Sequence, residues 1–275
     1  MAICVSGSHT LFVNRSNLKT VAVLSREKKM RVQYDLKQGQ SRNFHELPSG
    51  LSMEVIVQKG AKKNTNFEYP PLVFVHGSYH AAWCWAEHWL PFFSSSGHDC
   101  YAISLLGQGE SDSPPDSVAG TLQWDSLALY LFQANCCLQG IWTEFSEECD
   151  FFCVYLLICL YPPPGRETFF SATMEDHVVR RYQELMKESS RMPLFDLRKL
   201  NASLPVPSVP NCPFEILVLG AKDDFIVDAE GLKETAKFYG VPPVCVDAIA
   251  HDMMLDVSWE KGAEVIFSWL NGSEK

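Results

Sequence analysis

Short apolar runs alternate with stretches of helical periodicity from about residue 50 onward. Several of the runs are continuously apolar, which is typical of strands that are buried on both faces of a sheet. This order predicts the α/β fold class, with a mostly parallel sheet that is flanked by helices. The predicted strands are 51–57, 71–75, 100–106, 151–161, 214–219 and 244–248, and the predicted helices are 81–93, 118–132, 174–187 and 259–270.

Basic and acidic residues are unevenly distributed along the chain. The 275 residues include 23 basic and 33 acidic side chains, for a net charge of −10. Residues 1–45 alone hold eight basic and two acidic side chains, so the remaining 230 residues carry a net charge of −16. A basic, acid-poor and hydroxyl-bearing segment is typical of an organellar transit peptide, and a disordered basic arm is the alternative.

Composition and spacing also narrow the classes of partner and cofactor. The net negative charge argues against nucleic acid as a general partner. The longest apolar run, 151–161, is shorter than the ~18 residues that a membrane-spanning helix needs. The ten cysteines include no CxxC pair, and Gly107-x-Gly109 lacks the third glycine of a dinucleotide-binding loop. We therefore expect no transmembrane segment, no metal and no other cofactor.

Polar side chains stand after four of the predicted strands, where ligands of open α/β sheets bind. Gln108, Glu110 and Ser111 follow the third strand. The sequence HGS, residues 76–78, follows the second strand, and two carboxylates, Asp223 and Asp224, follow the fifth. His251 comes after the last strand. An acid after one strand and a histidine after the next is the arrangement that a hydrolase needs, because the carboxylate orients the imidazole and stabilises its protonated form.

Four stretches of the sequence carry a resemblance to a known family. The chain resembles the α/β-hydrolase superfamily, and in particular its plant esterase or lipase-like branch. The resemblance implies one hydrolase-like domain over residues 50–272, with a short lid over 166–211. Its expected ligand is a small-molecule ester or an apolar acid. The matching stretches are VFVHGSYHAAWCW (73–85), ISLLGQGESD (103–112), LVLGAKDDFIVD (217–228) and AHDMMLD (250–256).

The resemblance implies roles for the strand-end residues. His251 would be the general base. Asp224 would be the acid that orients it, because the family places a valine three residues later and Val227 stands there. Asp223 is the fallback for that role.

The HGS sequence would form the oxyanion loop. Gly77 makes the turn, and the backbone N–H of Ser78 would be one donor to a developing oxyanion. Trp83 and Trp85 would lie near the acyl or leaving-group pocket. Helix-to-sheet packing is the alternative for both tryptophans.

The nucleophile of the family has no counterpart in this sequence. The serine of these enzymes stands in a Gly-x-Ser-x-Gly turn between a strand and a helix. No glycine in the chain has another glycine four residues on. Gly-x-Ser occurs at Gly39, Gly50 and Gly109, but none of the three follows a predicted strand and opens a helix. We therefore expect the chain to have the acid and the base of the family but to lack the serine of the Gly-x-Ser-x-Gly turn.

The gap corresponds to residues 134–150, which have neither helical nor strand periodicity. One central strand-helix unit of the fold is expected to be lost there. Two explanations stay open: a splice variant or mis-joined gene that truncates a full-length esterase, and a divergent protein that lost its nucleophile. The function implied is carboxylic-ester hydrolysis with weak or no turnover, and the alternative is a non-catalytic binding module. The basic segment and the resemblance to plant proteins predict a chloroplast location, with mitochondrion or cytoplasm as alternatives.

Overall fold

The computed structural model describes residues 2–5, 29–61, 69–113, 164–190 and 215–272. The predicted helix 118–132, the segment 134–150 and the predicted strand 151–161 lie outside the described residues. The strands are β1 (Ala2–Val5), β2 (Gln40–Glu46), β3 (Ser52–Gln58), β4 (Leu72–Val75), β5 (Cys100–Ile103), β6 (Glu215–Ala221) and β7 (Pro243–Val246). The helices are α1 (Trp83–Ala86), α2 (Trp89–Ser95), α3 (Pro164–Phe169), α4 (Asp176–Ser189), α5 (Ala229–Tyr239) and α6 (Trp259–Gly272).

The chain divides into two compact units. Unit 1 comprises Met1–Thr10, Gln123–Val179 and Leu197–Lys275, and unit 2 comprises Leu11–Leu122 and Arg180–Asp196. Each unit contains one of the two sheets. No helix among the described residues is both long enough and apolar enough to cross a membrane.

Unit 2 is built on a four-stranded sheet with the order β2-β3-β5-β4. The pair β4–β5 is parallel, whereas β2–β3 and β3–β5 are antiparallel. Aromatic side chains of α1 and α2 fill its core, where Trp83, Trp85, Trp89 and Phe93 expose at most 4% of their surface. The Phe74 ring of β4 lies 5.6 Å from that of Trp85, which fixes these helices against the sheet.

The predicted single helix over 81–93 is two helices in the structure. His88 leaves the helical region with φ −132° and ψ −45°. Side chains from an earlier segment bind the backbone carbonyls at this point: Gln40 Nε2 donates to the Ala86 carbonyl at 2.7 Å, and Lys37 Nζ donates to the Glu87 carbonyl. These long-range contacts supply partners that a continuous helix would have found within itself, and no local periodicity reports them.

The folded part of the chain begins earlier than the boundary expected near residue 50. Strand β2 pairs with β3 over its whole length, from Gln40 opposite Gln58 to Glu46 opposite Ser52. Further upstream, Met30 and Tyr34 are buried. The sequence did not predict β2 because its QSRNFHE pattern is polar and every position of it is exposed or only half-buried. Residues 29–45 therefore belong to the fold, against the expectation of a transit peptide or disordered arm over 1–45.

Unit 1 is built on a three-stranded sheet with the order β1-β6-β7. Strand β1 is antiparallel to β6, and β6 is parallel to β7. Helix α5 packs on β6 through Val218, Leu232 and Ala236. A side chain at Gly220 would place its Cβ only 2.8 Å from Leu232 Cδ1, so glycine lets the helix approach the strand.

The predicted α/β class is confirmed. The described strand pairs are mixed rather than mostly parallel: β4–β5 and β6–β7 are parallel, and the other three are antiparallel. The remaining predicted strands and helices in the described residues appear within a few residues of their expected bounds.

Candidate active site

The structure brings His251 and Asp224 together in unit 1. The Nδ1 atom of His251 lies 3.0 Å from Oδ1 and 2.9 Å from Oδ2 of Asp224. Asp224 follows β6 and His251 follows β7, and neighbouring parallel strands end at the same edge of a sheet. Because a carboxylate only accepts hydrogen bonds, Nδ1 carries the hydrogen and the neutral imidazole keeps a lone pair on Nε2. A lone pair in that position is what a general base requires.

The carboxylate of Asp224 is held in its charged form. Its Oδ1 accepts the backbone N–H groups of Ile226 and Val227, both at 2.8 Å. Burial acts to raise the pKa of Asp224, but the hydrogen bond and charge of His251, together with these two N–H groups, hold its pKa below the ordinary value. The fallback, Asp223, has an exposed side chain, and its backbone N–H donates to the Ile249 carbonyl.

Phe169 is a neighbour of His251 that the sequence did not indicate. The two rings meet edge to face, with centroids 5.7 Å apart and planes at 73°. Phe169 is 3% exposed, and its carbonyl accepts the backbone N–H of Asp252 at 3.0 Å. The end of α3 therefore supports both the imidazole and the backbone beside it.

Asp256 fixes the segment that carries His251. Its Oδ2 accepts the hydroxyl of Ser171 at 2.5 Å and the backbone N–H of Ala250 at 3.4 Å. Its Oδ1 accepts the N–H of Ser258 at 3.1 Å, close to the start of α6. Asp256 is 1% exposed. Its role is structural, because its hydrogen bonds hold the backbone on both sides of His251.

The predicted oxyanion loop lies in unit 2, where His76 holds it in place. Nδ1 of His76 lies 2.7 Å from the Gly77 carbonyl, and the backbone N–H of Leu105 donates to Nε2 at 3.0 Å. A neutral ring with its hydrogen on Nδ1 satisfies both contacts, because Nδ1 then donates to the carbonyl and Nε2 accepts the N–H. Burial lowers the pKa of His76 to about 4, so the ring stays neutral at ordinary pH. Gly77 is exposed and Ser78 is half-buried.

The loop after β5 is anchored by a buried carboxylate, Glu54. Its Oε2 accepts the Ser104 hydroxyl at 2.6 Å and the backbone N–H of Glu110 at 3.0 Å. Arg42 donates to Oε1 at 2.7 Å and compensates the charge. These hydrogen bonds fix the backbone of the GQGES loop (107–111), which lies in one of the stretches that carry the family resemblance.

Ser111 and Gly109 in that loop have structural reasons to be present. The Ser111 hydroxyl donates to the Ser104 carbonyl at 2.6 Å and accepts the Glu54 N–H at 2.9 Å. Fully buried and bonded in this way, Ser111 cannot act as a nucleophile. Gly109 has φ +52°, and a Cβ there would come within 2.6 Å of Glu54 Oε2, so only glycine fits.

The two tryptophans of the HAAWCW stretch are core residues. Trp83 Nε1 donates to the Ser189 hydroxyl at 2.7 Å, and its ring stacks on Tyr182 with centroids 5.9 Å apart. Trp85 packs on Phe74 of β4. The packing alternative therefore accounts for the contacts of both tryptophans.

Sequence reasoning missed Glu54 and Phe169 for different reasons. Glu54 stands inside the apolar run of β3, and an acid in such a run is a visible signal of a buried carboxylate with partners. Phe169 gives no such signal, because its contact with His251 joins residues 82 positions apart.

Comparisons with known proteins bear on the fold of the chain. Residues 72–141 match the model of an alpha/beta hydrolase family. An epoxide hydrolase from Vigna radiata is 13% identical with a TM-score of 0.56, over 86% of this chain and 100% of its own. An esterase from Exiguobacterium antarcticum is 14% identical with a TM-score of 0.54, over 83% and 98%.

A third structure, an epoxide hydrolase from an endophytic Streptomyces, is 23% identical with a TM-score of 0.25, and the match covers 30% of this chain and 22% of that one. No curated protein matches the chain. The chain has the α/β-hydrolase fold, and the family match supports the α/β-hydrolase superfamily.

Proposed function

We propose that this chain is related to the carboxylic-ester hydrolases of the plant esterase or lipase-like branch and that it hydrolyses esters weakly or not at all. The observation that carries the proposal is the bond from His251 Nδ1 to both oxygens of Asp224, at 3.0 and 2.9 Å. In a Ser-His-Asp hydrolase this pair accepts the proton of the attacking hydroxyl and stabilises the resulting imidazolium.

In this proposal the chain has some parts of the reaction machinery and lacks another. His251 is the base and Asp224 orients it, both in unit 1. The N–H of Ser78, in unit 2, is the donor that the family resemblance implies for a negatively charged oxygen. No Gly-x-Ser-x-Gly turn occurs in the sequence, and Ser111 is buried and fully bonded. Because the members of a triad act as a unit, an acid and base without the serine accelerate hydrolysis little.

The first experiment measures hydrolysis of a short p-nitrophenyl ester by the purified full chain. The variants are His251→Ala and, as the matched control, His177→Ala, whose side chain is 77% exposed. We expect a rate near that of buffer for all three proteins. A clear rate that His251→Ala abolishes and His177→Ala leaves intact would show that the chain has a working nucleophile.

A second candidate function is binding of a small apolar acid without turnover. It is favoured by the loop that His76 holds, since an N–H donor for an oxyanion also suits a carboxylate. Titration calorimetry with benzoate tests this candidate. Saturable binding without hydrolysis supports it, and the absence of binding at millimolar benzoate contradicts it.

Chloroplast targeting through the basic N-terminal residues is part of the proposal. Processing that leaves β2 and the buried Met30 in place has to fall before Lys29, which is 16 residues upstream of the boundary drawn from charge. Such processing would remove β1, the strand that pairs with β6 in unit 1. A fluorescent protein fused behind residues 1–45 and expressed in leaf cells tests the address. Signal in mitochondria or cytoplasm would contradict it.

A further inference from the structure

A second buried histidine, His80, contacts the oxyanion loop. It is 3% exposed, and its Nδ1 lies 2.8 Å from the carbonyl oxygen of Ser78. Its ring also lies against Trp83 of α1, with centroids 5.8 Å apart. Because a carbonyl oxygen only accepts, Nδ1 of His80 carries the hydrogen.

The residue that this bond spans is strained. Tyr79 has φ +67°, in the left-handed region that residues with a Cβ rarely adopt. Such a conformation persists only where the surrounding structure holds it. The bond from His80 to Ser78 closes the chain around Tyr79, and Tyr79 itself is buried.

The two histidines together fix both peptide planes beside the Cα atom of Ser78. A trans peptide is planar, and its N–H points opposite to its C=O. His76 binds the Gly77 carbonyl and thereby sets the direction of the Ser78 N–H. His80 binds the Ser78 carbonyl and sets the next plane. Rotation about either backbone bond of Ser78 breaks one of these hydrogen bonds.

We infer that His80 is a positioning residue of the oxyanion loop, which holds Ser78 so that its backbone N–H is presented as a donor and keeps Tyr79 in its strained conformation. The inference rests on the proposed function only for the role of that N–H. The geometric part, a bond from His80 that immobilises Ser78, stands whether or not the chain hydrolyses esters.

Backbone ¹⁵N relaxation of the full chain measures this directly. The order parameter of the Ser78 amide is expected near ~0.85 in the wild type and below ~0.6 in His80→Phe, which keeps a flat ring against Trp83 but has no donor. His80→Asn is expected to restore the wild-type value, because the amide nitrogen of asparagine takes the place of Nδ1. An unchanged order parameter in folded His80→Phe would overturn the inference.

His98 offers a matched control within unit 2. It is equally buried, and its Nδ1 lies 2.9 Å from the Pro70 carbonyl, ahead of β4. His98→Phe therefore removes the same kind of bond outside the loop. The Ser78 order parameter is expected to stay at the wild-type value in this variant. An equal fall in both variants would mean that loss of any buried histidine loosens the loop, which contradicts a specific role for His80.

A measurement on the wild type needs no variant to fold. Long-range ¹H–¹⁵N spectra report which ring nitrogen of a histidine carries hydrogen. His80 is expected to carry hydrogen on Nδ1, and a neutral ring with hydrogen on Nε2 alone would overturn the inference. Neither measurement depends on ester turnover, so failure of the proposed function and failure of this inference are told apart.

Discussion

His76 and His251 use the same ring nitrogen in different ways. Nδ1 of His76 is bonded to a backbone carbonyl at 2.7 Å, and Nδ1 of His251 is bonded to a carboxylate at 2.9 Å. His76 is buried with Nε2 occupied by the Leu105 N–H, whereas the side chain of His251 is 28% exposed. Burial and the Leu105 N–H at Nε2 keep the His76 ring neutral, whereas a carboxylate partner on Nδ1 also stabilises a protonated ring. Burial and the partners of both ring nitrogens therefore separate a scaffold histidine from a candidate base.

The largest test of this contrast removes each ring. His76→Ala leaves the Leu105 N–H without its acceptor, releases the Gly77 carbonyl and opens a cavity, so we expect a loss of about 4 kcal/mol in the free energy of unfolding. His251→Ala is expected to cost about 1 kcal/mol, since its site is partly open to solvent. Urea unfolding followed by circular dichroism measures both. Equal losses would remove the distinction between scaffold and base.

The pH dependence of stability tests the neutral state of His76. Its pKa in the folded chain is about 4, below the ordinary 6.5, because burial disfavours the charged ring. The unfolded chain therefore takes up the proton first as pH falls. The stabilisation is complete above pH 6.5 and is lost as pH falls toward 4, by up to about 3 kcal/mol.

His88 contributes in the same pH window, since burial also lowers its pKa to about 4. The contribution of His76 is therefore the difference between the wild type and His76→Ala. Unfolding free energies at pH 7, 5.5 and 4.5 give that difference. A parallel decline in the two proteins would show that His76 is not held neutral by the fold.

The two carboxylates after β6 sharpen the assignment of the acid. Asp224→Ala removes the partner of His251 and of two backbone N–H groups, and we expect a loss of about 2 kcal/mol. Asp223→Ala is the matched control. The side chain of Asp223 is exposed, so its removal is expected to lower the free energy of unfolding by less than about 0.5 kcal/mol. A larger loss in Asp223→Ala than in Asp224→Ala would favour Asp223 as the acid that orients His251.

Features that depend on local sequence patterns could be predicted, and features that depend on contacts between distant residues could not. Asp223, Asp224 and His251 could be predicted as candidates because each stands just after an apolar run, and the ends of parallel strands meet. The choice of Asp224 over Asp223 came from the family resemblance, through Val227. Strand β2 could not, because its polar residues are paired by the apolar β3 rather than by any pattern of their own. The break between α1 and α2 depends on Lys37 and Gln40, about 50 and 46 residues upstream.

The smallest expected effect concerns the aromatic neighbour of the base. Phe169→Leu keeps an apolar side chain but removes the ring that meets His251 edge to face with centroids 5.7 Å apart, and such contacts are worth about 1 kcal/mol. Phe170→Leu is the matched control, since Phe170 is 1% exposed and adjoins Phe169. Both variants lose core volume, so urea unfolding alone would not separate them. Carbethoxylation of His251 by diethylpyrocarbonate, followed by mass spectrometry, reports on the imidazole itself. Faster modification in Phe169→Leu and not in Phe170→Leu is expected, because only the first ring shields the base. Equal rates in the two variants would assign Phe169 to the core alone and leave Asp224 as the partner that distinguishes His251 from His76.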